Sequence, residues 1–368
     1  MPVKPLNSAK IQRMHRALLG WFEREQRALP WRENRDPYRV WVSEAMLQQT
    51  RVETVIGYFE RFLDRFPTLA DLASAEEEAV LGMWSGLGYY SRARKLHAAA
   101  KEIVKRFGGE FPRTRADALS LPGIGPYTAG AVLSIAHGMS EPLVDGNVQR
   151  VFARLFALRA EAGCAALQKD LWDLAGQLVP QDDRAGDWNQ SLMELGATCC
   201  VARSPDCNSC PVSSECRARE LEIVSELPTP KPRRAPTRVE LEIFVVARGP
   251  DVLLEQRPRE GRMGGLWQFP TVESAPGDAL FPATLPAEPG LFRPGPIIGE
   301  LRHSITRYAI HAQLRTAELA GDPPAGWKWF QPADLEGAAL TGMTKKALLV
   351  RVKDSKMTSP VGFEQRGR

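Results

Sequence analysis

Apolar residues recur every three or four positions from residue 8 to about residue 224, which predicts a series of amphipathic helices. The spacing is seen in three sets: Met14, Leu18 and Trp21; Val55, Phe59 and Phe62; Val148, Val151, Leu155 and Leu158. Residues such as Pro67 and Pro112 interrupt the pattern and are expected to separate the helices. This part of the chain is therefore expected to be mainly α-helical.

The pattern changes after a proline-rich, basic stretch at residues 227–236, which is typical of an extended linker. Residues 239–246 and 252–256 are rich in β-forming side chains and flank a turn, which predicts a hairpin. A further strand is predicted at 301–314 and a closing helix at 343–352. The C-terminal part is therefore expected to be an α+β domain.

Composition changes this picture only in part. The 368 residues are 43% hydrophobic and 25% charged, which is ordinary for two or three globular domains. A net charge of +4 permits a nucleic-acid partner but does not require one. No apolar run is long enough to cross a membrane, and the N-terminus lacks the core of a signal peptide. We expect a soluble cytoplasmic protein, in which clustered cysteines indicate a metal site.

Four cysteines have the spacing C-x6-C-x2-C-x5-C: Cys200, Cys207, Cys210 and Cys216. Four thiolates in one short loop can surround a single centre, and structural zinc is one candidate. Zinc sites usually contain two short C-x2-C pairs, whereas this loop contains one. An iron–sulfur cluster is larger than an ion and tolerates uneven spacing, so the spacing favours a cluster. Cys164 and Cys199 fall outside the pattern.

A glycine-rich segment, LPGIGPYTA at residues 121–129, is a second candidate site. Gly123 and Gly125 can take positive φ at no steric cost, and Pro126 suits the first turn of a helix. A tight hairpin between two helices would point backbone N–H groups at a phosphate oxygen. A plain helix–helix turn is an equally good interpretation of these residues alone.

Two carboxylates lie in segments suited to chemistry. Glu44 lies in an otherwise apolar helical stretch, where burial would raise its pKa and keep it protonated, as a general acid requires. Asp145 precedes a predicted helix, whose N–H groups would hold an ionised carboxylate. Each residue has an ordinary structural alternative, which is an exposed or capping position for Glu44 and an N-cap for Asp145.

Together these segments resemble the helix-hairpin-helix DNA glycosylases that carry an iron–sulfur cluster, and among them the adenine DNA glycosylase (MutY-type) family. The resemblance covers nearly the whole chain through several markers: residues 29–32 (LPWR), 43–50 (SEAMLQQT), 86–94 (GLGYYSRAR), 144–148 (VDGNV), 189–196 (NQSLMELG), the hairpin and the cysteine loop. It implies a mainly α N-terminal glycosylase joined to an α+β Nudix-like C-terminal domain. It also implies a [4Fe–4S] cluster on the four cysteines.

The resemblance implies the following parts: a glycosylase at residues 1–226, with a six-helix helix-hairpin-helix lobe at 31–136 and an iron–sulfur lobe at 1–30 and 137–226; a linker at 227–238; a Nudix-like domain at 239–352; and a flexible tail at 353–368.

The implied reaction removes adenine that is mispaired with 8-oxoguanine or guanine in double-stranded DNA, and it leaves an abasic site. Adenine inside a duplex is unreachable, so it must rotate out into a pocket. Glu44 would protonate adenine at N7, and Asp145 would stabilise the sugar cation or trap it covalently. Tyr127 and Asn147 would orient the carboxylates and the incoming water.

The resemblance also implies a set of DNA contacts: with the flipped base, Trp31, Arg32 and Gln190; with the base stack, Gln49, Leu87 and Tyr89; with phosphate, Arg92, Arg94, Gly123 and Gly125. Ordinary packing is the alternative for the residues at the stack. A solvated basic face is the alternative for the arginines.

One position separates this family from its endonuclease III-type relatives, which carry a hairpin lysine whose amine attacks the sugar. The corresponding residue here is Tyr127, and a phenol cannot form a Schiff base, so a monofunctional glycosylase is expected. Gln149 stands where the family often has a lysine that traps the sugar incidentally. A bifunctional glycosylase–lyase and a non-catalytic DNA-binding module with a structural metal are the competing interpretations.

The C-terminal domain resembles, at residues 254–258 and 264–270, the Nudix-like domain with which this family inspects 8-oxoguanine. No Nudix hydrolase box with clustered carboxylates for magnesium is found, so binding without hydrolysis is expected. Thr306 and Arg307 stand where the family often has Phe-Ser-His, and they could offer a hydroxyl and a donor. A monomer of the bacterial cytoplasm, without a membrane partner, is expected.

Overall fold

The first part of the chain is helical and the last part is built on a β-sheet, as the periodicity predicts. The computed structural model describes residues 5–231, 235–260, 263–274 and 292–354. Contacts divide the chain into two compact units: Met1–Ser74 with Lys95–Arg233, and Ala75–Arg94 with Arg234–Arg368. We call them the helical unit and the sheet unit.

The helices of the first part are α1 (Ser8–Glu25), α2 (Pro37–Leu47), α3 (Val52–Arg65), α4 (Leu69–Ser74), α5 (Glu77–Met83), α6 (Ser91–Phe107), α7 (Arg115–Leu119), α8 (Pro126–Ile135), α9 (Gly146–Leu155), α10 (Ala165–Leu178), α11 (Ala185–Thr198) and α12 (Arg217–Glu220). Short 3-10 turns lie at Pro30–Arg32, Ser213–Glu215 and Val224–Glu226.

The apolar faces of these helices follow the predicted spacing with two departures. Leu158 lies beyond the end of α9 and is half-buried, and the buried face of α1 is shifted. Three predicted residues of α3 are completely buried: Val55, Phe59 and Phe62. The buried face of α1 contains Met14 and Leu18, but it continues to Phe22, while Trp21 is only half-buried. Residues four apart stay on one face of an α-helix, so Phe22 and not Trp21 completes the stripe that begins at Met14.

Helix α11 lies at the centre of the helical unit, because it packs against α1, α8 and α9. Its apolar face buries Trp188, Leu192 and Leu195. Helix α2 packs against α3 and α8, so α2, α8, α9 and α11 converge. The polar side chains that these four helices carry on their facing sides are thereby brought close together.

The sheet unit contains β1 (Thr237–Arg248), β2 (Asp251–Gln256), β3 (Trp267–Gln268), β4 (Thr271–Glu273), β5 (Phe292–Ile305), β6 (Tyr308–Leu319), β7 (Trp327–Phe330), α13 (Pro332–Gly337) and α14 (Gly342–Asp354). The main strand order is β3-β2-β1-β6-β5, with β4 paired to β1 and β7 paired to β2. The pairing of β1 with β6 is parallel, and the other described pairs are antiparallel.

The core of the sheet unit follows from strand periodicity. Val239, Leu241 and Ile243 alternate with more exposed residues along β1, so their side chains share one face. Met343 and Ala347 of α14 belong to the same buried cluster. The helix predicted at 343–352 therefore forms and covers this face of the sheet.

Two hairpins show where sequence patterns succeed and fail. The hairpin predicted between residues 239–246 and 252–256 is present, with Arg248 opposite Asp251. The single strand predicted at 301–314 is wrong, because the chain reverses there and Ile305 pairs with Tyr308. Thr306 adopts a φ of 50° at this turn, and no glycine or proline marks the position.

Residues 75–94 fold with the sheet unit. The Ser85 hydroxyl donates to the Leu340 carbonyl at 3.0 Å, and the Lys345 amine donates to the Ser85 carbonyl at 2.9 Å. The indole of Trp267 donates to Glu78 at 2.9 Å. The domain boundaries predicted from the sequence assign this segment to the glycosylase, and those boundaries stay a prediction.

Over the described ranges, no helix combines the length and apolar character that a membrane crossing needs. The predicted tail at 353–368 lies outside the described residues from position 355 onward, and positions 232–234 of the predicted linker also lie outside them.

Candidate active site

A cavity of 740 Å³ opens in the helical unit between α2, α8, α9 and α11. The residues around it include eight that were expected at the site from the sequence: Trp31, Arg32, Glu44, Gln49, Tyr127, Asp145, Asn147 and Gln190. The fold thus brings both carboxylates, the phenol and the three expected base-contacting side chains to one place.

Glu44 is buried on α2, with only 5% of its surface exposed. Burial raises the pKa of its carboxyl to about 7, and the negative charge of Asp145 acts in the same direction. A hydrogen bond donated by the Tyr127 hydroxyl to Glu44 Oε2 and the charge of Arg32 oppose this rise. Near neutral pH, protonated and ionised forms of the Glu44 carboxyl are therefore both populated.

Asp145 is the N-cap of α9 and also lines the cavity. The capping role and the place in the site, which are alternatives on the sequence alone, therefore occur together. Its Oδ1 accepts from the Val148 backbone N–H at 2.7 Å, and its Oδ2 accepts from the Asn147 amide at 3.0 Å. Burial is the largest influence and leaves the pKa of Asp145 above its ordinary value, although these donors and Arg150 oppose the rise. Donors that favour the anion are more numerous here than at Glu44, which separates the two carboxyls chemically.

Arg150 orients Asn147 and was not selected from the sequence. Its Nη2 donates to Asn147 Oδ1 at 2.8 Å and to the Gly196 carbonyl at 2.6 Å, and its Nε donates to the Cys200 carbonyl at 2.8 Å. With its oxygen bound to Arg150, the Asn147 amide presents its N–H to Asp145. A cation three residues after Asn147 on one helix face was the available signal.

Glu194 of α11 also lines the cavity and was not selected either. Arg27 donates to both carboxylate oxygens, from Nε at 2.8 Å and from Nη2 at 2.9 Å, and its backbone N–H donates at 3.1 Å. Arg32 adds a bond from Nη2 at 2.9 Å. Burial alone would raise the pKa of Glu194, but the two arginines lower it to about 2. A carboxylate on the buried face of an amphipathic helix was the signal in the sequence.

The glycine-rich hairpin joins α7 to α8, and its two glycines differ. Gly123 has a φ of 77°, and a Cβ placed there would lie 2.5 Å from the Lys95 Cβ. Gly125 has a φ of −96°, so it does not use the positive φ that is open to glycine, and a Cβ there would meet no atom within 4 Å. Pro126 is the first residue of α8, as predicted, and no side chain caps the helix before it.

Four of the expected DNA-contacting residues lie in the sheet unit and not at the cavity. Leu87 is buried, whereas Tyr89 is 45% exposed with a φ of 50°. The Arg92 guanidinium stacks 5.5 Å from the centre of the Tyr89 ring, and burial lowers the pKa of Arg92 to about 10. Arg94 donates to the Gly264 carbonyl. Contacts of these residues with DNA stay predictions.

Thr306 and Arg307 form the exposed turn between β5 and β6, which we call the β5–β6 turn. The Thr306 hydroxyl donates to the Ile305 carbonyl at 2.7 Å, and Arg307 Nη2 donates to the Tyr308 hydroxyl at 3.1 Å. The turn therefore presents a hydroxyl and a guanidinium that, among the residues the structure describes, donate to their chain neighbours.

The four predicted cysteine ligands line one small cavity of 30 Å³ together with Cys199 and Arg154. Arg154 Nη1 donates to Cys200 Sγ at 3.3 Å. Burial raises the pKa of Cys210 to about 12, and the Val212 N–H opposes this rise. Among the described side chains, no three from His, Cys, Asp or Glu are arranged to hold a metal ion.

A glycine-rich hairpin together with two carboxyl groups in one cavity indicates the class of protein to which the chain belongs. Residues 42–177 match the family model described as "HhH-GPD superfamily base excision DNA repair protein", and residues 242–349 match the NUDIX domain model. A thermostable thymine-DNA glycosylase aligns with 58% of this chain and 98% of its own, at 30% identity and a TM-score of 0.52. The helical unit is thus that of a helix-hairpin-helix DNA glycosylase.

Sequence relatives identify the particular family. The adenine DNA glycosylase of Rattus norvegicus is 38% identical, and the alignment covers 95% of this chain and 80% of that protein. The adenine DNA glycosylase of Homo sapiens is 37% identical over 93% of this chain and 74% of that protein. The chain belongs to the adenine DNA glycosylase family. It is a DNA N-glycosylase of base excision repair with a Nudix-like C-terminal domain.

Proposed function

We propose that this enzyme is monofunctional and hydrolyses adenine from pairs with 8-oxoguanine or guanine in double-stranded DNA. The observation that carries the proposal is the position of Glu44 and Asp145 in one cavity with Tyr127 bound to Glu44. Two carboxyl groups with different environments are suited to break a glycosidic bond, since one can act as acid and the other as anion.

Glu44 acts as the general acid. Because its pKa is about 7, part of the Glu44 population is protonated near neutral pH. This form can transfer its proton to N7 of the flipped adenine. Protonation makes the purine a better leaving group. Burial of Tyr127 raises the pKa of its phenol well above 10, so the hydroxyl stays a neutral donor that orients Glu44.

Asp145 acts on the sugar. As the C–N bond breaks, the sugar becomes a cation like an oxocarbenium ion, and the Asp145 carboxylate stabilises it or forms a transient bond to it. The Val148 and Asn147 donors hold the carboxylate in place. Asn147, which Arg150 orients, is also suited to direct the attacking water.

Trp31, Arg32 and Gln190 surround the flipped base. All three line the cavity of 740 Å³, and Trp31 provides an aromatic wall that is 7% exposed. An apolar wall beside a few polar groups is the usual composition of a base pocket. Gln49 also lines the cavity, and its φ of 64° is uncommon for a residue other than glycine, as is frequent at functional sites; both observations support a contact with the base stack.

No lysine is among the described residues that line the cavity, which supports hydrolysis without strand cleavage. Tyr127 occupies the position from which an endonuclease III-type lysine would attack, and Gln149 also lines the cavity. Neither a phenol nor an amide can form a Schiff base with the sugar. Hydrolysis would therefore leave an intact strand with an abasic site.

The cysteine loop fits a [4Fe–4S] cluster on Cys200, Cys207, Cys210 and Cys216. These four residues line the small cavity and are all sulfur donors, which is the chemistry of iron–sulfur ligands. Burial raises the pKa of Cys210 and Cys216, and backbone N–H groups of Val212, Ala218 and Arg219 oppose this rise. When bound, the cluster would cross-link the loop and supply no acid or base for hydrolysis. The loop also carries exposed arginines such as Arg203 that suit phosphate contacts.

The sheet unit inspects the base opposite adenine, through Thr306 and Arg307 of the exposed β5–β6 turn. A hydroxyl and a guanidinium suit the altered edge of 8-oxoguanine, which carries an oxygen at C8 and an N–H at N7. Tyr89 and Leu87 contact the base stack, and Arg92 and Arg94 lie near phosphate.

Single-turnover base release tests the proposal. Duplexes that carry A opposite 8-oxoguanine, G, C or T, and a T:G control, are incubated with excess enzyme and then cleaved with alkali. Free adenine and alkali-dependent breaks are expected for the first two duplexes, and borohydride should trap no enzyme–DNA adduct. Release from T:G but not from A:8-oxoguanine, or trapping in good yield, would contradict it.

Visible absorption and metal analysis test the cluster. The purified protein should be brown and contain about four irons per chain. Cys210→Ser should lose the colour, whereas Cys164→Ser, which changes a cysteine outside the cavity, should keep it. Stoichiometric zinc in a colourless, active protein would contradict the cluster and favour structural zinc.

A further inference from the structure

Glu194 is a buried carboxylate that accepts four hydrogen bonds from two arginines. It is 1% exposed, and an ionised carboxylate has about four acceptor positions. Three of its hydrogen bonds come from Arg27 and one from Arg32. Its acceptor positions are therefore used within the protein, so Glu194 is not itself suited to bind the base.

Arg32 is fixed by this arrangement. Its Nη2 binds Glu194, its Nη1 donates to the Arg27 carbonyl at 3.1 Å, and its guanidinium lies 5.2 Å from the centre of the Phe22 ring. These contacts set one orientation for a long side chain that would otherwise lose rotamer entropy on meeting a ligand. Two of the five guanidinium N–H groups are used, which leaves donors for the cavity.

The charges also matter, because two arginines approach a site where a proton must be transferred. Titratable and charged groups surround Glu44 in the cavity on every neighbouring element. They are Tyr127 of α8, Asp145 and Arg150 of α9, Arg32 of the 3-10 turn, Glu194 of α11, and Arg27 after α1. Without Glu194, the charges of Arg27 and Arg32 would both disfavour a protonated base and a protonated Glu44.

We propose that Glu194 is a positioning residue of the base site, which holds Arg32 toward the flipped base and offsets the positive charge of the arginine pair. This inference rests on the proposed role of Glu44 as general acid. It adds a residue that does not touch the substrate but sets the pH range in which the acid works.

The test is the pH profile of single-turnover base release from about pH 5 to pH 9 with saturating enzyme. The wild type should lose activity as pH rises through the pKa of Glu44. Glu194→Gln keeps the shape but removes the charge, so its alkaline limb should move about one pH unit lower, a loss of about 10-fold at pH 8. Arg27→Gln should move the limb upward. The double variant Glu194→Gln with Arg27→Gln should bring it back toward the wild type.

A merely structural Glu194 would give a different result. All variants would then lose rate equally at every pH, the limb would not move, and the double variant would be the worst; this result would overturn the proposal. If thermal melting shows that Glu194→Gln is unfolded, an unmoved limb in Arg27→Gln overturns it as well. A wild type without an alkaline limb, or an active Glu44→Gln, would refute the general-acid role itself.

Discussion

The cavity of the helical unit and the β5–β6 turn of the sheet unit carry polar side chains in opposite environments. Glu44 is 5% exposed and is tied to Tyr127, and Asp145 is held by two donors. Thr306 and Arg307 are exposed, and within the described part of the chain their side chains donate to Ile305 and Tyr308, their chain neighbours. Burial makes small changes of charge costly in the cavity, whereas water screens them at the turn. We therefore expect the rate of base release to depend on the cavity, and the preference for the base opposite adenine to depend on the turn.

The largest effect is expected from the carboxyl groups. Asp145→Asn and Glu44→Gln keep shape but remove the anion or the acid, and each should slow single-turnover base release by on the order of 10³-fold. Binding to a duplex with A opposite 8-oxoguanine, measured by gel shift, should change little. Glu60→Gln, a change at an exposed position of α3 that does not line the cavity, is the matched control. Full activity in either cavity variant would break the assignment of chemistry to the cavity.

A smaller effect is expected from the phenol. Tyr127→Phe removes the hydrogen bond that opposes the raised pKa of Glu44, so this pKa should rise above its value of about 7. Activity that depends on protonated Glu44 should then persist to higher pH, while the maximal rate falls by about 10-fold through lost orientation. The pH profile of base release measures both effects. A limb that moves to lower pH would contradict the role given to Tyr127.

The smallest effect on the chemical step is expected from the turn. Thr306→Ala and Arg307→Ala should reduce the preference for 8-oxoguanine over guanine opposite adenine by about 5- to 30-fold in kcat/KM, since each removes one contact. The single-turnover rate at saturation should change less than twofold. Arg293→Ala removes an exposed charge elsewhere on β5 and serves as control. If the turn variants slow base release at saturation as strongly as Asp145→Asn, the division between the two regions is wrong.

The sequence predicts local features of this molecule better than features that depend on distant segments. An acidic residue in an apolar helix correctly indicated a buried Glu44, and the spacing of α3 placed its buried face. The turn at Thr306 was missed because it lacks the glycine, asparagine or proline that usually marks a hairpin. The adenine DNA glycosylase family was predictable because several markers occur in one order.

The ion pairs of the site could not be predicted in the same way. Glu194 is 167 positions from Arg27 and 162 from Arg32, and no spacing rule joins residues across such distances. Arg150 reaches Asn147 locally but also reaches Cys200, which lies 50 positions away. Segment 75–94 illustrates the same limit, because its assignment to the sheet unit depends on partners such as Leu340.

The two hairpin glycines offer a way to separate folding from recognition. A methyl group at Gly123 would strain the backbone and strike Lys95, so the isolated protein would register the change in its melting temperature. A methyl group at Gly125 would meet open space and an ordinary φ. Alanine at position 125 should therefore change the stability of the free protein little, beyond the small cost of replacing an N-cap glycine, and should mainly affect a molecule that contacts the hairpin from outside. The affinity of an alanine variant at this position for DNA would therefore indicate how closely a nucleic-acid backbone approaches the hairpin.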